Sequence, residues 1–291
     1  MLNHETWQAL AREARNLIPL FRYLILQTET HAFCLALACG VLLGFFPSCL
    51  VMLSLLKHFL HWDAAYNVLL DTLRVYLPSN QPFVIHNLEV SFAQFGRPPV
   101  ISLVWVLFGA AAVFIPLESG FNRLWQVRED RPYWLNQLVG LGLTVACVLL
   151  AVLFLSISTG LHSVTGILPF EIVRRASSYL IIRVTTTFFF IVTIFAFYKF
   201  LPNRKIDARQ VLPAAILAGV MAEVVRIAYG LSLRFVNLES TQGPFSVSVG
   251  FVLLAYFETF VVLGGAFLAS QTERYPWMGF LKSKRSEPPP S

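Results

Sequence analysis

The chain has 291 residues, 56% of them hydrophobic, 26 of them Phe, and only 13% charged. A soluble domain carries roughly 45–50% apolar and about 25% charged residues, so this excess cannot hide in one water-surrounded core. The net charge of +6 is spread between hydrophobic runs, which excludes a nucleic-acid partner, because such a binder gathers Lys and Arg on a soluble face beside stacking aromatics.

Residues 1–31 form a leader in which Trp7, Leu10, Ala14, Leu17, Phe21 and Leu24 recur at helical spacing. It reads either as an amphipathic helix on the inner membrane surface or as a helix packed under the bundle. No cleavable signal peptide is evident, since the first apolar run begins only after this polar leader.

Six apolar runs follow, over residues 32–56, 100–115, 138–157, 179–200, 211–229 and 247–270. Each is near the 20 or so residues that cross about 30 Å of hydrocarbon. Pro47 lies inside the first and is expected to kink it, and the second has room to extend past Pro116 toward residue 121. Connections 61–99, 158–178 and 230–246 are long. The stretch 67–77 sets Val68, Leu69, Leu73 and Leu77 on one side, as a short helix capping one membrane face would.

The fold class is therefore all-α, a polytopic membrane protein of about six transmembrane helices plus amphipathic interfacial helices. Residues 32–270 make the transmembrane domain, and residues 271–291, basic and ending in Pro288, Pro289 and Pro290, make a disordered tail. Lys and Arg on the side of both termini outnumber those on the other side by two to one. That bias places both termini in the cytoplasm, with the lipid bilayer, and anionic lipids at the cytoplasmic face, as partners. Oligomeric state cannot be read from one chain.

Charges inside the spans are the candidate chemistry. Glu223 and Arg226 stand at i, i+3 in the fifth span, Glu258 near the middle of the sixth, and Arg183 near the outer end of the fourth. A charge at bilayer depth costs at least a few kcal/mol and persists only if paired, wetted or neutralised. One reading is a polar cavity or ion path. The other is a single Glu223–Arg226 pair locking helices, with Arg226 snorkelling outward. Glu258 has no basic neighbour on its own helix, so a protonated or water-facing carboxyl is expected there.

Ala36, Gly40 and Gly44, with Gly109 to Ala112, are small residues suited to close helix packing. His58 and His61, followed by Asp63, have the spacing of a metal pair, but interfacial histidines explain them better. Cys34, Cys39, Cys49 and Cys147 show neither CxxC nor zinc spacing. No catalytic motif is present. Neither a metal, another cofactor nor an enzymatic role is expected.

Three stretches carry a resemblance. They are Phe46–Pro47; Phe121-Asn122-Arg123-Leu124-Trp125 followed by Arg131-Pro132-Tyr133-Trp134; and Leu201-Pro202-Asn203-Arg204, leading through Arg209 and Pro213 to Tyr229, Tyr256 and Gly265-Ala266. In order and spacing across roughly residues 20–270 they resemble the YihY/virulence factor BrkB family of bacterial inner-membrane proteins. The resemblance implies an inner-membrane location and no settled activity. The label ribonuclease BN, carried by some members, is regarded as a misassignment, and one branch is associated with serum resistance. The chain departs from that pattern at Phe267, Leu254, Gly44 and Glu258, where Glu, Trp, Ser and a small polar residue are common. Trp125 and Arg123 fit headgroup-level anchors, while Pro202 ends the fourth span and Asn203 is placed to cap the next turn. The leading expectation is transport or lipid and envelope handling through a polar intramembrane site; the alternative is a structural scaffold.

Overall fold

The computed structural model describes residues 18–76, 81–95, 100–127, 131–165, 171–233, 235, 240 and 242–271. Its helices are α1 Thr28–Ser54, α2 Asp63–Tyr76, α3 Gln81–Phe95, α4 Val100–Leu124, α5 Tyr133–Thr165, α6 Glu171–Phe200, α7 Ala208–Ser232 and α8 Ser246–Ser270. No strand occurs among the described residues. Six of these helices, α1 and α4 to α8, are long and apolar enough to cross a membrane.

Several overrun the apolar runs that announce them. At 1.5 Å per residue the 33 residues of α5 reach about 50 Å, well past the hydrocarbon. The reason is that a helix satisfies its own backbone hydrogen bonds in lipid and in the headgroup zone alike. Pro116 does not stop α4, which continues to Leu124, and Pro47 lies within an unbroken α1.

The six spans close a ring in the order α1, α4, α5, α6, α7, α8 and back to α1, with α8 also touching α4. Its tightest seam is α1 against α4. A Cβ built on Gly109 would lie 2.5 Å from the Gly44 Cα, and one on Gly40 would meet the Ala112 backbone at 2.8 Å. Only hydrogen at these positions lets the two backbones approach so closely.

The main core fills one end of the ring, around Phe114, Phe121, Trp125, Tyr198, Ala214, Ala218 and Leu263. Toward the other end packing divides into two smaller clusters, roofed by α2 and α3 through Leu70, Val84, Leu88 and Val68. The interfacial helix expected over residues 67–77 is α2, which starts earlier.

Residues 1–17 and 272–291, which hold most of the expected leader and tail, lie outside the described residues. The described end of the leader is a π turn, Arg22–Leu26, halted by extended Gln27, so Thr28 to His31 already form the first turn of α1. It packs under the bundle: Tyr23 stacks on Phe267 at 4.8 Å, and Thr30 Oγ1 donates to the Tyr23 carbonyl at 3.1 Å.

Candidate functional site

The four intramembrane charges meet. On α7, Val211, Ala215, Ala218 and Ala222 form a buried stripe of mostly small residues at three- and four-residue spacing, and that stripe runs on into Arg226 and Tyr229. The small residues bring α6 and α8 close on either side. Arg183 of α6 then bonds Glu223 through Nη1, and Thr187 Oγ1 donates to the same carboxylate at 3.4 Å. Arg226 donates Nη1 to Glu223 at 3.2 Å, and Nε and Nη2 to the two oxygens of Glu258 at 2.5 and 3.3 Å.

The result is a chain of alternating sign across three helices, Arg183–Glu223–Arg226–Glu258, with formal charges that cancel. Its side chains are 19%, 16%, 10% and 21% exposed in that order. Arg226 also lies over the Phe190 ring at 4.3 Å, and Arg183 Nε donates to the Tyr179 hydroxyl at 2.8 Å.

Two expectations need correction. Glu258 is not a lone carboxyl, because its partner comes from the neighbouring helix α7, which same-helix spacing cannot reveal. Arg226 does not snorkel; two carboxylates hold it inside. The Glu223–Arg226 pair exists, but as the inner link of a longer chain.

A cavity of about 320 Å³ adjoins the Glu258 end, between α1, α2, α6, α7 and α8. Val41, Phe45, Leu73, Phe251, Leu254 and Ala255 form its apolar wall, and Thr72, Thr186, Arg226 and Glu258 its polar one. The buried Oγ1 of Thr186 has no hydrogen-bond partner among the described residues. Sequence reading passed over Thr186, Thr187 and Phe190, although they stand three, four and seven residues after Arg183, on its face of α6.

The positions that carried the resemblance gather at the opposite end. α4 ends in a Schellman turn: Gln126 has φ 51°, Val127 N–H donates to the Asn122 carbonyl at 2.9 Å, and Gln126 N–H to that of Arg123 at 3.2 Å. This leaves the Asn122 side chain to accept from the Asn203 N–H at 2.8 Å. Arg131 then donates to Asn203 Oδ1 at 3.0 Å and to the Pro202 and Leu201 carbonyls at 3.2 and 3.4 Å, capping the end of α6.

Trp125 is no headgroup anchor. It is 4% exposed and packs edge-on to Phe121, with Tyr198 against both rings. Arg123, by contrast, is exposed and pairs with Glu29 at 2.8 Å. Gly265 lets α8 settle against Tyr198, whose hydroxyl donates to the Val262 carbonyl at 2.6 Å.

Tyr256, two residues before Glu258, faces away from the charge chain and bonds His31 Nδ1 at 2.5 Å. Pro47 takes no part in either group. Glu118, 4% exposed on α4, is a buried carboxylate in the stretch past Pro116 into which the second span had room to extend, and it was not singled out from the sequence. Asp63 accepts from Lys57.

Fold and site define a polytopic helical membrane protein with an ion-paired polar centre beside an intramembrane cavity. A family model described as Virulence factor BrkB matches residues 26–285, and the chain belongs to that family. Similar proteins include a UPF0761 membrane protein of Neisseria meningitidis serogroup B, 24% identical over 214 residues, covering 70% of this chain and 49% of the relative. Another, from Xanthomonas oryzae pv. oryzae, is 23% identical over 276 residues, covering 91% and 63%. The chain thus spans about half to just under two thirds of the length of these curated relatives. No solved structure matches it.

Proposed function

We propose that this protein moves or handles a small solute or lipid of the bacterial envelope through the polar centre between α6, α7 and α8. The observation that carries this reading is the terminal Glu258, which closes a buried charge chain and at the same time lines a cavity inside the membrane. Intramembrane ionisable groups are expensive and tend to mark solute or ion pathways. A pure lock between helices needs no cavity beside it. The chain sits in the inner membrane in this reading, with the α2–α3 face outward and the Arg131–Asn203 face in the cytoplasm, near anionic lipids. The lysine and arginine bias supports that orientation.

The second reading, a scaffold whose charges only fasten helices, is favoured by the completeness of the pairing. The double substitution R226M/E258L separates the two, because it empties the cavity wall of charge and leaves Arg183–Glu223 intact. Complementation of a strain lacking the gene, scored by envelope permeability, is expected to fail for this variant while its melting temperature in detergent holds. Full complementation would overturn the transport reading and leave the scaffold.

A further inference from the structure

Resting on the functional reading of the same site, we infer that the cavity takes a primary ammonium group carried on a single apolar chain. Charge balance decides the sign. Arg226 gives Nε and Nη2 to Glu258 and Nη1 to Glu223, so its single positive charge already faces two carboxylates, and an anion beside it would be repelled by both. A cation beside Glu258 instead extends the alternation of sign by one member. Each Glu258 oxygen accepts one bond from Arg226 and keeps a further lone pair.

The walls fit the same group. Phe45 and Phe251, with ring centroids 4.4 Å apart, stand in the cavity lining that holds Glu258, and aromatic faces attract a desolvated cation. The remaining lining, Val41, Leu73, Leu254 and Ala255, offers no hydrogen-bonding side chain and suits an alkyl tail. A volume of 320 Å³ holds about ten water-sized groups at roughly 30 Å³ each, which is the scale of octylamine. The ammonium source is either a free amine or an ethanolamine lipid headgroup whose chain enters the cavity.

The test titrates the purified full chain with octylamine, octyltrimethylammonium and octanoate, and follows the thermal midpoint. Octylamine is expected to raise it saturably. The trimethyl compound, a cation without an N–H donor, is expected to bind about tenfold more weakly, the equivalent of one charge-assisted hydrogen bond. Octanoate is expected to give no saturable shift. Glu258→Gln removes the charged acceptor and is expected to lose at least about tenfold. Leu254→Trp serves as the second variant, since it fills the cavity while leaving every member of the ion chain in place. It is expected to abolish the octylamine shift.

In nanodiscs, competition by phosphatidylethanolamine but not phosphatidylcholine assigns the source to a lipid headgroup. Octylamine binding undiminished by either assigns it to a free amine. Octanoate binding as tightly as octylamine, or an octylamine shift that is absent or survives Leu254→Trp, overturns the inference. If octylamine fails while R226M/E258L still loses complementation, the ligand class falls and the functional reading stands.

Discussion

Position along the charge chain sets what each residue's loss costs. Removing Glu258 leaves Arg226 paired with Glu223, and removing Arg183 leaves Glu223 paired with Arg226. Removing Glu223 takes the carboxylate from Arg183, which keeps its bond to the Tyr179 hydroxyl, and removing Arg226 takes the guanidinium from Glu258. Breaking a buried pair from one side costs about 3–5 kcal/mol. The inner double E223L/R226M breaks pairs at both ends, so it loses upward of about 3–5 kcal/mol, a large part of a marginal stability of roughly 5–15 kcal/mol. The double R226M/E258L removes the same number of charges and strands none. The four side chains are 10–21% exposed, so solvent relieves little of this difference. Thermal midpoints of both doubles in one detergent decide the matter, with the yield of folded protein as a second reading. Equal midpoints, or a more stable inner double, would refute the reasoning that the pairs form one connected chain.

At the α1–α4 seam, Gly109→Ala drives a methyl to 2.5 Å from the Gly44 Cα and is expected to destabilise by about 1–3 kcal/mol, read as a lowered midpoint. Gly142→Ala, where a Cβ meets nothing within 4 Å, is the control and is expected to be neutral or stabilising by about 0.5–1 kcal/mol. Arg131→Lys replaces a planar fork reaching three acceptors with one flexible ammonium and is expected to lose about 1–3 kcal/mol; an unchanged midpoint would dismiss the capping role. For orientation, single cysteines at Arg204 and Gln242 are placed in a background without Cys34, Cys39, Cys49 and Cys147. The first is expected to resist an impermeant thiol reagent in intact cells and the second to label, and the reverse pattern inverts the topology.

Run length made the six spans legible, because apolar stretches of membrane length have few other uses. Helix ends were not, since backbone pairing continues after hydrophobicity stops; α5 and α6 each begin before, and α5 ends after, its apolar run. Glu118 was passed over because, two residues after Pro116 and toward the end of the second run, a charge looks interfacial, and only the packing around α4 shows it buried. Glu223, Arg226, Glu258 and Arg183 were legible one at a time as charges out of place. Only the Glu223–Arg226 link could be read, because i, i+3 spacing is a property of one helix. Joining Arg183 and Glu258 to it required knowing that α6 and α8 flank α7. Trp125 misled for a similar reason: a Trp near a span end is an anchor when it faces lipid and a core residue when another loop folds over it.

Because two arginines and two glutamates sum to zero, the transmembrane voltage does no net work on the chain when it moves as a unit. A field acts on the spread between its members, as a torque, not on its centre. Any event that adds one unpaired cation ends that indifference. A loaded site would then gain or lose about 2.3 kcal/mol per 100 mV for a full crossing of the field. The polar centre is thus electrically silent when empty and voltage-sensitive when occupied by a charged guest.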